Sequence, residues 1–216
     1  MRKIIFILFF FTSILYRAQA ECPEGWETKT VTAQYSYNYN GYSFSCFFTI
    51  KYCCRWNNDL KTVELIIDEI YPTYSSICWL FIRNWYHFND WVHNTVAESS
   101  VNCNPPYPPC DDPINFYYDI RLVAYYCWYF ENWEKYIGDD YILSKKRCQN
   151  QTNYCEKTWR VCIDYSYNPP RIIRTFISSI SYGQPQCPTN MPELPPEGDP
   201  RWGQHWITSC FAEPCE

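Results

Sequence analysis

Fourteen cysteines constrain this 216-residue chain more than any other feature, because every one of them lies beyond residue 20. They are Cys22, Cys46, Cys53, Cys54, Cys78, Cys103, Cys110, Cys127, Cys148, Cys155, Cys162, Cys187, Cys210 and Cys215. An even count in an exported chain reads as a framework of up to seven disulfides. No metal site is expected, since there is no C-x-x-C and the three histidines, His87, His93 and His205, do not flank cysteine pairs at zinc-ligand spacing. The missing C-x-x-C also removes a dithiol redox motif, and a thiol held in a bridge is not a nucleophile. Adjacent residues in a strand point to opposite faces, so Cys53 and Cys54 are expected to bridge to two different partners.

The cysteines follow a segment that reads as a signal peptide over residues 1–20. Arg2 and Lys3 give a positive start, Ile4 to Leu15 is an apolar run, and Ala18-Gln19-Ala20 presents small residues for cleavage. About twelve apolar residues reach about 18 Å as a helix, short of a roughly 30 Å hydrocarbon core. Glu21 stands where a lipoprotein needs its cysteine, and no later stretch is long and apolar enough to be a transmembrane segment. The expected location is therefore secreted, extracellular or cell-surface, the periplasm included. Loss of Arg2, Lys3 and Arg17 from 18 basic residues leaves 15 against 23 acids, a net charge of −8. Nucleic acid is not an expected partner of so acidic a chain. Its densest basic stretch, Lys145-Lys146-Arg147, reads as a solvated turn or strand end.

Aromatic residues make up 20% of the chain, while Leu (8) and Ala (6) are scarce, which favours strands over helices. The expected fold class is mainly β and disulfide-rich, with two small β modules and a proline-rich tail. Residues 21–78 form the first module, with an Asn40-Gly41 turn signal between strands and a β-branched run from Thr62 to Tyr71. Residues 79–110 form an aromatic connector and a proline loop. Within it, Trp79 to Val96 suits either an amphipathic helix or a strand, and four prolines between Cys103 and Cys110 exclude an interior strand. Residues 111–187 form the second module, in which Phe116 to Phe130 alternates as one strand and Arg171 to Tyr182 as another. Residues 188–216 are a proline-rich tail that Cys210 and Cys215 pin to the body. A shift of 109 residues superposes Cys46, Cys53 and Cys78 on Cys155, Cys162 and Cys187, so the modules are either copies of one unit or unrelated neighbours.

No catalytic residue, cofactor or metal ligand is assigned. Asp90 lies between His87 and His93, but six residues on a helix separate the two rings by about 240°. Four acidic groups could supply a glycosidase pair: Asp111-Asp112, Asp139-Asp140, Glu131/Glu134 and Glu64/Asp68/Glu69. The first two read more naturally as turns. Asn150-Gln151-Thr152 is a glycosylation acceptor if the source is eukaryotic. Aromatic side chains offer the main binding candidates, with Trp85, Trp91 and Tyr126 singled out for protein or sugar surfaces; packing across strands and around disulfides is the competing role.

The start Glu21-Cys22-Pro23-Glu24-Gly25-Trp26, the strand ending Tyr52-Cys53-Cys54 and the later Ile67-Asp68-Glu69-Ile70 resemble a group of exported cysteine-rich proteins of unknown function from environmental Gram-negative bacteria. The resemblance implies an exported β protein and carries no activity, ligand or catalytic residue. The leading functional expectation is a non-enzymatic binding or structural protein, meeting an extracellular protein or glycan or assembling with itself. A secreted carbohydrate-active hydrolase using paired carboxylates is the alternative. The cysteine framework has a direct check: the unreduced protein should gain no mass on alkylation, and several adducts would refute it.

Overall fold

The computed structural model describes residues 22–39, 42–103, 106–112, 117–134 and 141–215. The expected signal peptide, the expected turn at Asn40-Gly41 and the Asp139-Asp140 pair lie outside these described residues. The fold is mainly β, as expected, and all fourteen cysteines are paired with none free.

Strand β1 (Glu27–Tyr39) runs antiparallel to β2 (Tyr42–Asn57) from Glu27 opposite Cys54 to Tyr39 opposite Tyr42. Thr28, Thr30, Thr32, Gln34, Ser36 and Asn38 face solvent while Tyr35 is buried, the alternation of a sheet with one wet face. β3 (Thr62–Pro72) is different: Val63, Leu65, Ile66, Ile67 and Ile70 make it nearly continuously apolar, and almost all of it is buried. It is the central strand. One edge pairs with β2.

The other edge of β3 is shared between two strands. Thr62 to Ile66 pair in parallel with β4 (Tyr118–Tyr125), and Glu69-Ile70 pair antiparallel with β6 (Tyr141–Arg147). From this fork β4 leads to β7 (Tyr154–Asp164) and β8 (Arg171–Tyr182), while β6 leads to β5 (Cys127–Glu134). Two short strands of the tail, β9 (Trp206–Ile207) and β10 (Phe211–Ala212), pair with β5. Strands from both expected modules thus share one ten-stranded sheet. The single strand expected over Phe116 to Phe130 is two: the chain leaves β4 after Tyr125 and re-enters as β5 at Cys127, because the two halves pair with different arms of the fork.

Trp79 to Val96 is helical, a short 3₁₀ turn over Ser76–Phe81 followed by α1 (Trp85–Ser99). Asn84 caps α1 by accepting from the His87 amide at 3.0 Å. Phe88, Val92, Thr95 and Val96 recur at helical spacing and are the face that is buried. They pack with Phe48, Trp79, Ile120, Leu122, Phe130, Trp159 and Phe211 into one core.

The fork coincides with a bulge. Lys51 lies opposite Glu69 and Tyr52 opposite Ile67, which leaves Asp68 as the extra residue of β3. Its carboxylate is 3% exposed and meets Lys51 Nζ and Arg147 Nη2, each at 3.2 Å. Next to it, Lys146 contacts Glu69 at 3.5 Å and Glu131 at 2.9 Å. Lys145, 1% exposed, reaches Glu213 at 2.6 Å and lies over the rings of Trp128 and Trp85. Lys145-Lys146-Arg147 is therefore a strand end, the last three residues of β6, but not a solvated one: its cations are largely covered because each has a carboxylate to meet.

The bridges are Cys22–Cys53, Cys46–Cys78, Cys54–Cys103, Cys110–Cys162, Cys127–Cys187, Cys148–Cys210 and Cys155–Cys215. Cys53 and Cys54 do part to different partners, and Cys210 and Cys215 pin the tail. In the superposed segments, Cys46 joins Cys78 directly, whereas Cys155 and Cys187 join Cys215 and Cys127.

Removing one member of a buried ion pair strands the other. Asp68→Ala should lower the stability of the oxidised protein by about 3 kcal/mol in chemical denaturation. A loss below about 1 kcal/mol would show that backbone pairing alone holds the fork.

Candidate functional site

Most of this sheet is covered or has a polar face; β8 has neither. It pairs only with β7, from Tyr154 opposite Tyr182 to Asp164 opposite Arg171, and its other edge has no partner strand among the described residues. The strand shows Ile172 50%, Phe176 54%, Ile177 46% and Ile180 43% exposed. Edge strands are normally blunted by proline, charge, a bulge or a short length; β8 runs twelve residues without proline or lysine, its protection limited to Arg171, Arg174 and one bulge. The other outer strand, β1, exposes hydroxyl and amide side chains instead.

The apolar residues reach both faces because of the doublets Ile172-Ile173 and Phe176-Ile177, which break a strict alternation. A bulge at Ile177, between Thr158 opposite Ser178 and Trp159 opposite Phe176, adds to this. Phe176 rests edge-on against Trp159 at 5.9 Å. Tyr125, Tyr154 and Tyr182 line up across β4, β7 and β8, with ring centroids 6.1 and 4.8 Å apart. Burial, then the neighbouring Glu156, holds the Tyr154 hydroxyl above its usual value, so this hydroxyl stays protonated and uncharged at neutral pH.

β8 is held in place from beneath. Arg174 donates to the Asn94 carbonyl at 3.1 Å and to Glu98 at 2.9 Å, a cation against the last turns of α1. At the far end, Asn153 donates to the Gln184 carbonyl at 2.7 Å just past the strand. The edge is presented on a fixed support.

The three aromatic candidates do not form one surface. Trp85 stacks on Trp79 at 5.8 Å and lines a cavity beside α1. Trp91 packs against Tyr35, Phe48 and Phe88. Tyr126 is 4% exposed and lies in a smaller core with Ala124, Cys127, Cys148 and Cys155, so it offers no ring to a partner. The exposed apolar side chains of β8 were the feature to find, and the two doublets were its only signal in sequence.

Acidic groups suited to a hydrolase are tied up with cations. Glu64 pairs with Arg55, Asp68 with Lys51 and Arg147, and Glu131 with Lys146 and His205. Asp111-Asp112 sits in a turn, where the Asp112 amide donates to the Pro109 carbonyl at 3.2 Å. Among the described residues, no cluster of three or more His, Cys, Asp or Glu is arranged to hold a metal. No protein-family model, curated protein or solved structure matches this chain.

The histidines are separated. His87 shares a hydrogen bond with Tyr35 at 3.1 Å, and His205 meets Glu131 at 3.1 Å. His93 Nδ1 is buried without a hydrogen-bond partner among the described residues. Burial, then Lys157 of β7 and Lys145 of β6, holds the His93 imidazole well below its ordinary 6.5, so it is neutral in the native protein; Asp90 of α1 and Glu213 after β10 are the nearby acids. The unfolded chain takes up this proton as the pH falls below about 6.5, and the native chain does not. Stability should thus be complete above that pH and decline from about pH 6.5 to 5, before carboxylates titrate. His93→Gln should flatten the slope of the denaturation midpoint in that window; an unchanged slope would refute this.

Proposed function

We propose that the protein is an exported, non-enzymatic binding protein that assembles through the uncovered edge of β8. The export reading rests on the Arg2-Lys3 start, the apolar run to Leu15 and the Ala18-Gln19-Ala20 site, together with seven disulfides. No helix among the described residues is long and apolar enough to cross a membrane. The one observation that carries the binding reading is a twelve-residue edge strand with apolar side chains exposed on both faces. The resemblance to exported cysteine-rich β proteins agrees with this reading and adds no ligand to it.

The partner that fits is a second copy. If two β8 strands pair antiparallel about a two-fold axis, Arg171 falls opposite Tyr182, Arg174 opposite Ser179, Ile173 opposite Ile180 and Phe176 opposite Ile177. No like charges then face each other, and each arginine is far from its symmetry mate. Parallel pairing in register would set Arg171 and Arg174 against their own copies. Strand addition would satisfy the free backbone groups of the edge and cover the isoleucines in one step.

Sedimentation equilibrium of the oxidised mature protein should show a dimer at micromolar concentration. Changing Ile173 and Ile180 to lysine places like charges across the pairing and should raise the dimer Kd at least about 100-fold. The thermal midpoint of the diluted monomer should stay unchanged. A protein that is monomeric at about 100 µM, or a dimer indifferent to these changes, would overturn the assignment.

A further inference from the structure

A cavity of about 230 Å³ lies between α1, β7 and the tail. Trp85, Asn89 and His93 recur every four residues along α1 and line one wall, with Tyr86 and Asp90 beside them. Lys157 of β7 enters from the sheet. Phe211, Ala212, Glu213 and Pro214 form the opposite wall, and Met191 closes one side. This opposite wall is fixed in three ways. β10 pairs with β5, the Glu213 amide donates to the Tyr126 carbonyl at 2.8 Å, and Cys210 and Cys215 are bridged to either side.

Two polar groups here lack the partners their burial calls for. His93 Nδ1 has none among the described residues. The Lys157 side chain is 6% exposed, and its ammonium has one polar contact among the described residues, Asp90 Oδ1 at 3.5 Å. An ammonium can donate three hydrogen bonds, so a single long contact leaves it under-used. Asp90 is itself half exposed and takes a shorter bond, 3.0 Å, from Asn94. The other acid of the lining, Glu213, is already neutralised by Lys145 at 2.6 Å. The cavity therefore presents two unsatisfied donor-capable groups beside apolar walls; of its carboxylates, Asp90 is held by Asn94 and Glu213 is paired with Lys145, although Glu213 Oε1 makes no hydrogen bond of its own among the described residues.

We propose that this cavity binds a small monocarboxylate with a flat apolar body, the carboxylate accepting from Lys157 Nζ and His93 Nδ1–H and the body lying between Trp85 and Phe211. A carboxylate offers charged acceptors to both groups at once, whereas a hydroxyl's two lone pairs carry no charge and a protonated amine has no acceptor. Lys145 and Glu213 offset each other, which leaves Lys157, with its single long contact to the half-exposed Asp90, as the charge an incoming group meets, so an anion is favoured there over a cation. The volume lies below the about 300–1,000 Å³ typical of drug-sized sites, which limits the body to about one ring.

The test uses the oxidised protein with benzoate, benzyl alcohol and benzylamine as probes, read by tryptophan fluorescence and by the His93 ring signals in NMR. Benzoate should bind saturably and raise the pH at which His93 titrates, because the anion stabilises the imidazolium. Lys157→Met should weaken benzoate at least about tenfold while leaving benzyl alcohol unchanged. Asp90→Asn, which frees Lys157 at a half-exposed position, should tighten benzoate and so tests the site without removing a buried group. Benzylamine binding as tightly as benzoate would overturn the proposal. So would benzoate binding that ignores both substitutions, or no saturable signal with benzoate at about 10 mM.

Discussion

The structure depends on β3 having three partners. A strand buried on both faces has two edges to satisfy, and here one of them is divided between β4 and β6. Two strands cannot occupy the same stretch of edge, so the sheet must part at Ile67-Asp68, where the bulge supplies the bend. The Phe88, Val92 and Val96 face of α1 packs into the core over the sheet, and Trp79 donates from its indole nitrogen to the Leu143 carbonyl at 2.7 Å. At the fork the backbone pairing of this edge passes from β4 to β6, and there the Asp68–Arg147 and Glu69–Lys146 ion pairs join β3 to β6 through side chains as well.

Much of this could be read from sequence, for a definite reason. β1, β2, β7 and β8 are hairpin strands whose side chains carry a period of two or a β-branched run, and such patterns are local. The parting of Cys53 and Cys54 followed from strand geometry alone. The fork did not, because it depends on which distant strand arrives at Glu69, and nothing near Glu69 encodes that. Lys145-Lys146-Arg147 misled for the same reason. Three consecutive cations look solvated until Asp68, Glu131 and Glu213 are brought to them from 68 to 79 residues away or across the β5–β6 pair. The aromatic positions had a related difficulty: Tyr126 and Trp85 are alike in composition, yet one lies in a core and the other beside a cavity, according to where the chain turns between β4 and β5.

β7 connects the two surfaces described for the protein. Its Trp159 supports Phe176 of the exposed edge, and its Lys157 enters the cavity beneath α1. Arg174 ties β8 to the same helix that carries His93. Edge and cavity are thus built on shared, tightly packed elements, though each has its own chemistry: apolar and hydrogen-bonding along the strand, cationic and aromatic in the cavity.

The tail bridges also bear on the order in which the chain can mature. Cys127, Cys148 and Cys155 pair with residues 60, 62 and 60 positions further on. At about 5–20 residues per second, each must remain a thiol for about 3–12 s after it is made, among cysteines that are already able to react. Cys22, Cys46, Cys53 and Cys78 can meanwhile close among themselves over 31 and 32 residues. The amino-terminal hairpin is therefore sealed early, and the wall that closes the cavity is the last part of the protein to become permanent.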